Sequence, residues 1–102
     1  MQPIIKNNLE AIVNLCKLME IEQLYLIGSA ARNNDFTNLS DLDFLYKFKK
    51  QKSLLKFDYF DVKFGLEKIT QRKVDLIAIE KITNKYFLEP VEKEKIKLYE
   101  CE

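Results

Sequence analysis

Short apolar runs alternating with segments of helical periodicity restrict this chain to a layered α/β design. Gln23-Leu24-Tyr25-Leu26-Ile27 is a continuous apolar run ended by Gly28, the pattern of a strand buried on both faces. A second strand is predicted over Asp41 to Phe48, where Leu42, Phe44, Tyr46 and Phe48 alternate with Asp43, Leu45 and Lys47. A third is Val74-Asp75-Leu76-Ile77-Ala78-Ile79, and Ile96-Lys97-Leu98-Tyr99 has the length of a short last strand. Before the first run, Ile5, Leu9, Ile12, Cys16 and Met19 recur at steps of four and three, which predicts an amphipathic helix over residues 3–20. Gly28-Ser29 reads as a turn into a short helix through Arg32, and the Asn and Asp residues that follow are loop-forming. A long helix is predicted from Ser53, as N-cap, to Gln71, and another over residues 84–94 with a break at Pro90. The order is that of one α/β domain spanning residues 1–102.

Composition removes several classes of chemistry. There is no His among the 102 residues, so no imidazole serves as base, nucleophile partner or metal ligand. Lys and Arg number 17 against 16 Asp and Glu, a balance with no global pull toward nucleic acid or an anionic membrane. Cys16 falls on the apolar stripe of the first helix and reads as a small buried hydrophobe, while Cys101 is expected to be a loose end. The pair fits no metal spacing. The first eight residues lack a signal-peptide pattern, and no apolar run approaches a membrane span of roughly 18 residues. A reduced cytoplasm is the expected compartment.

Carboxylates are what remain. Asp41 and Asp43 stand two apart on a predicted strand, so their side chains leave the same face. Asp75 lies inside an otherwise apolar strand, where a carboxylate is costly unless paired or bound to a cation. Three converging carboxylates form a hard all-oxygen site suited to Mg²⁺ or Mn²⁺, which commonly complete their shells with water and substrate phosphates. Gly28 allows close backbone approach to a ligand. With the Ser29 hydroxyl and the amides of the short helix it can cradle phosphate, and Arg32 one turn later can neutralise it. Ser29 is a poor nucleophile here, because no base is at hand to activate it.

Gly28-Ser29-Ala30-Ala31-Arg32, Ser40-Asp41-Leu42-Asp43 and Val74-Asp75-Leu76 together resemble the signature of the minimal nucleotidyltransferases of the DNA polymerase beta superfamily. The resemblance runs from Leu24 to about Tyr99. It implies a polymerase beta-like core, a small mixed sheet of three or four strands flanked by helices. It implies further that Asp41 and Asp43 hold catalytic Mg²⁺, that Asp75 completes the metal-binding triad and helps activate the attacking hydroxyl, and that Gly28, Ser29 and Arg32 bind ATP. One departure is Asn33, where small bacterial members usually carry Gly after the Arg; Asn tolerates left-handed backbone better than most residues.

Larger members of the superfamily carry an additional domain for the acceptor, and 102 residues leave no room for one. The long helix bears on what replaces it. Leu55, Tyr59, Val62, Leu66 and Ile69 form one stripe, and Phe57, Phe60 and Phe64 lie opposite. Such a helix is either sandwiched within its own fold or covered by a partner. Small relatives are commonly antitoxins of a HEPN-domain ribonuclease toxin, so the resemblance implies transfer of AMP from ATP to a toxin tyrosine. Two other readings stand beside it: a non-catalytic module that masks its partner, and a nucleotidyltransferase acting on a small molecule or an RNA end. Lys47, Lys49, Lys50, Lys52 and Lys56 give the RNA reading slight support. The balanced charge and the lack of a stacking surface disfavour nucleic acid as direct substrate.

Overall fold

The computed structural model describes residues 1–32, 36–37, 39–50, 57–82 and 91–101. In chain order these form α1 (Pro3–Lys6), α2 (Leu9–Leu18), β1 (Ile21–Ile27), α3 (Ser29–Arg32), β2 (Leu42–Phe48), α4 (Tyr59–Thr70), β3 (Val74–Ala78), a 3-10 turn (Ile79–Lys81) and β4 (Ile96–Glu100). Residues 91–94 add a helical turn before β4.

The four strands make one mixed sheet in the order β3-β2-β1-β4. β1 is antiparallel to both β2 and β4, while β2 and β3 run parallel. The mixed sheet flanked by helices agrees with the sequence reading. β1 is central because its sequence is apolar on both faces, whereas β3 and β4 at the edges alternate.

Alternation sorts the strand residues into two faces. Leu24 and Leu26, Leu42, Phe44 and Tyr46, and Val74 and Leu76 face a large core with Ile5, Ile12 and Cys16 from α1 and α2 and Val62 and Leu66 from α4. The other face carries a smaller cluster, Tyr25, Ile27 and Leu45 with Val91, flanked by Ile77, Ile79 and Ile82. The short α1 and the two longer helices α2 and α4 therefore lie on one side. The second face carries the carboxylates beside this smaller cluster.

Several element boundaries differ from the sequence expectation. The helix over residues 3–20 is interrupted at Asn7–Asn8, where the Asn8 side-chain amide donates to the Ile4 carbonyl at 2.7 Å. Asn competes for backbone groups in this way and so breaks helices. β1 begins at Ile21, earlier than Gln23. The long helix begins at Tyr59, not near Ser53, which lies outside the described residues together with Leu55. Its N-cap is Asp58, in a reciprocal capping box with Asp61. Residues 84–90 of the fourth predicted helix also lie outside them. Cys16 is buried as expected, and burial pushes its thiol up to about 12. Cys101 is not a loose end in its backbone, which donates to Glu22 at 2.8 Å.

Candidate functional site

The carboxylates leave the sheet on the face opposite α2 and α4. Asp43 on β2 and Asp75 on β3 are register partners in the parallel pair, and Ile27 of β1 stands across from Asp43 on its other side. Adjacent strands lie about 4.8 Å apart, so the two carboxylates project side by side. Asp41 precedes β2 by one residue and is exposed. Its position is set by the turn before it. Thr37 and Ser40 bond to each other through backbone and hydroxyl groups, and the Arg72 guanidinium donates to the carbonyls of both at 2.6 Å. Arg72 also lies over the Phe36 ring, 4.6 Å from its centroid.

Asp75 is exposed, which corrects the expectation of a carboxylate buried in an apolar strand. β3 is an edge strand, and its Asp75 side faces away from the helices. The desolvated carboxylate is Asp43. Partial burial, then the charges of Asp75 and Asp41, push Asp43 above the ordinary carboxylate range, and Arg32 acts against them. Asp43 is thus held beside like charges and under-compensated by its cation. That is the electrostatic condition that a divalent cation relieves.

Gly28 ends β1 with φ +75° and hands the chain to α3. Its carbonyl accepts from the Ala31 and Arg32 amides at 3.0 Å. A Cβ at Gly28 would run into the Asp43 carboxylate, lying 3.2 Å from its Cγ. Here the absence of a side chain lets the turn and the carboxylate occupy adjoining space. Arg32 ion-pairs with Glu94 at 3.2 Å, which links α3 to the helical turn at 91–94. The structure therefore brings together Gly28, Arg32, Asp43 and Asp75, and places Asp41 and Ser29 at the same end of the sheet.

Two supporting residues escaped the sequence reading. Arg72 is far from Thr37 and Ser40 in sequence, and no local pattern marks the pairing. Glu67 on α4 accepts from the Val74 amide at 3.0 Å and pairs with Lys63 at 3.3 Å. The Val74 amide foremost, then Lys63, hold Glu67 below the usual carboxylate range. It fastens the start of the strand that carries Asp75.

Among the described residues no three His, Cys, Asp or Glu side chains already form a ready-made ion-binding group. The donor chemistry, all oxygen with excess negative charge, fits Mg²⁺.

A search of the curated proteins gave no match. The fold is similar to that of a candidate minimal nucleotidyltransferase, at 29% identity and a TM-score of 0.70, covering 90% of each chain. A toxin–antitoxin structure with AMP-PNP contains a chain at TM-score 0.67 and 18% identity, with 93% of this chain and 75% of that one covered. A complex of a tri-AMPylated Shewanella oneidensis HEPN toxin with its MNT antitoxin is similar at TM-score 0.60 and 16% identity, covering 94% and 72%. Residues 10–102 match the family model described as polymerase beta, nucleotidyltransferase. The chain belongs to the polymerase beta nucleotidyltransferase family.

Proposed function

We propose that this protein is an Mg²⁺-dependent nucleotidyltransferase that moves AMP from ATP to a tyrosine hydroxyl of a partner HEPN toxin, and so acts as its antitoxin in the cytoplasm. The observation that carries the reading is the pairing of Asp43 with Asp75 directly beside the Gly28 turn. Similarity to a chain bound in a complex with an AMPylated toxin supports the acceptor class.

In this reading Asp43 and Asp75, with Asp41, hold the metal, and Gly28, Ser29 and Arg32 receive the triphosphate. Bound Mg²⁺ supplies charge neutralisation at the α-phosphate and the departing pyrophosphate, and lowers the pKa of the acceptor hydroxyl. The acceptor oxygen bonds to the α-phosphorus as the bond to the bridging oxygen breaks, and pyrophosphate leaves. Asp75, exposed beside Asp43, takes the hydroxyl proton and passes it to solvent. Arg32 keeps its partner Glu94 while its charge offsets that of the phosphates.

A masking role without catalysis is favoured by one observation. Phe60 and Phe64 are 57% and 58% exposed and stack at 6.0 Å between centroids. The RNA-end reading loses ground, because Lys47 is paired with Glu22 at 3.3 Å; Lys52 and Lys56 lie outside the described residues. Incubation with ATP, Mg²⁺ and a HEPN partner protein tests the proposal. A mass increase of one or more AMP groups on a partner tyrosine is expected, abolished by Asp41→Asn with Asp43→Asn. Neutralisation that survives this double change, with no mass increase, establishes masking instead.

A further inference from the structure

Strand register carries Glu94 to the Gly28 turn. β4 runs antiparallel to β1 with Ile96 opposite Leu26, so two residues forward from Leu26 and two back from Ile96 bring Glu94 level with Gly28. There the Glu94 carboxylate meets the Arg32 guanidinium, Oε2 to Nη1, at 3.2 Å. The Arg32 and Glu94 side chains remain 38% and 31% exposed, and ion pairs in such settings add little to stability. A role beyond holding the fold together has to be sought in what the pair adjoins.

The two partners are anchored very differently. Arg32 ends α3, a single turn of four residues, and an arginine side chain has many rotamers to choose from. Glu94 stands on a fixed base. Val91, three residues before it, is buried among Tyr25, Ile27 and Leu45. The Lys95 amide closes the turn onto the Val91 carbonyl at 2.9 Å. The Lys95 ammonium pairs with Glu92 at 3.0 Å and lies 4.5 Å from the Tyr25 ring centroid. β4 follows at once and joins the sheet.

On its other side Arg32 faces the carboxylates, since its charge acts on Asp43 against burial and the neighbouring acids. A guanidinium carries five N–H donors in a rigid planar fork, so fixing Nη1 also directs the others. A carboxylate close to a polyphosphate site costs binding through like charge. Ordering the guanidinium beforehand offsets that cost, because the nucleotide then need not order it.

We infer that Glu94 is the positioning residue for Arg32, holding its guanidinium beside the Gly28 turn and aimed at the triphosphate of the nucleotide donor. The inference rests on the proposed role of Arg32 in receiving that triphosphate, and it adds the residue through which Arg32 is set. Glu94 itself touches neither nucleotide nor metal. Its loss is felt through Arg32 alone.

The test is a double-mutant cycle on the full chain, read by calorimetric titration with AMP-PNP in the presence of Mg²⁺. Glu94→Ala should weaken AMP-PNP binding about three- to fivefold, the range of a partly exposed ion pair. Glu94→Gln keeps an acceptor oxygen at the same reach and should restore affinity to within about twofold of wild type. In an Arg32→Ala background Glu94→Ala should have no further effect. Urea unfolding of each variant shows that the fold persists. Equal weakening in both backgrounds would mean that Glu94 merely holds the 91–94 turn, and it overturns the inference. Tighter binding by Glu94→Ala overturns it too, since Glu94 would then compete with phosphate for Arg32. Unchanged affinity does the same. If Arg32→Ala alone leaves AMP-PNP affinity intact, the proposed role of Arg32 fails and the inference with it. A wild type that binds AMP-PNP but transfers no AMP to a HEPN partner removes the proposed transfer, while the cycle still decides what Glu94 does.

Discussion

Gly28 and Asp43 share a space that has room for only one side chain. A Cβ at Gly28 would collide with the Asp43 carboxylate, and the backbone at φ +75° is one that other residues adopt with strain. Gly28→Ala is therefore expected to destabilise the fold by about 1–3 kcal/mol and to abolish nucleotidyl transfer by displacing Asp43. Urea unfolding in a double-mutant cycle separates the two causes. In an Asp43→Ala background the collision is gone and only the backbone cost remains, so the Gly28→Ala penalty should shrink. An equal penalty in both backgrounds would show that the carboxylate is not what Gly28 makes room for.

The position of Asp43 also sets the sign of a pH effect. Burial first, then Asp75 and Asp41, raise its pKa above 3.8, so the folded state binds this proton more tightly than the unfolded chain does. This term favours folding while Asp43 is protonated and is lost as pH rises through the window between the ordinary and the raised value. At pH 7 the ionised carboxylate is a net cost. Asp43→Asn is therefore expected to raise the apo-protein's melting temperature at pH 7 while eliminating transfer. Mg²⁺ should stabilise the wild type at pH 7 more than at pH 4, because binding needs the ionised form. Thermal melts at both pH values, with and without Mg²⁺, check this; equal stabilisation of wild type and Asp43→Asn would place the ion elsewhere.

The strands and the carboxylates were legible in the sequence because they depend on local signals. Continuous apolar residues around Leu24 marked the central strand, and the two-residue spacing of Asp41 and Asp43 marked a shared face. Helix ends were harder to read, for a physical reason. Neither α2 nor α4 ends on glycine. Instead Glu20 and Gln71 take the left-handed conformation themselves, at φ 58° and 56°, so the usual stop signal is missing. The start of α4 was misplaced because Asp58 and Asp61 cap it reciprocally, while Ser53 offered a more familiar N-cap. The exposure of Asp75 depends on β3 lying at a sheet edge, which a single strand's sequence does not reveal. Arg72 reaches back to Thr37 and Ser40, a contact made only by the tertiary fold.

Arg72 is expected to act as a positioning residue for Asp41. Its paired hydrogen bonds hold the turn from Thr37 to Ser40, and Asp41 is the next residue. Arg72→Gln keeps a planar donor but loses the charge and the length with which one guanidinium nitrogen, Nη2, reaches both carbonyls. It should cost about 1–2 kcal/mol of stability and weaken Mn²⁺ binding about tenfold or more, as outer-shell changes at metal sites do. Mn²⁺ titration followed by electron paramagnetic resonance, with AMP-PNP present, reads this separately from folding. Asp41→Asn serves as the reference. If it weakens Mn²⁺ binding and Arg72→Gln does not, then Asp41 is a ligand that Arg72 does not position.

The exposed Phe60–Phe64 pair lies on the far side of the molecule from the carboxylates. α4 turns Val62 and Leu66 toward one face of the sheet, whereas Asp43 and Asp75 leave the other. Phe60 and Phe64 point outward from that helix, with the Lys63 ammonium 5.5 Å from the Phe64 ring centroid. A partner held at this patch does not by that contact alone deliver its acceptor to the metal site. The patch is therefore expected to contribute affinity and not chemistry. Phe60→Glu with Phe64→Glu should leave the chain's own stability within about 0.5 kcal/mol per substitution, as for exposed positions. If the patch is an anchor, partner binding should weaken by about 2 kcal/mol or more, with KM for the partner rising and kcat unchanged. Unfolding curves, calorimetric titration and steady-state transfer rates measure the three quantities. A fall in kcat at saturating partner would show instead that docking on α4 is coupled to the carboxylate face across the sheet.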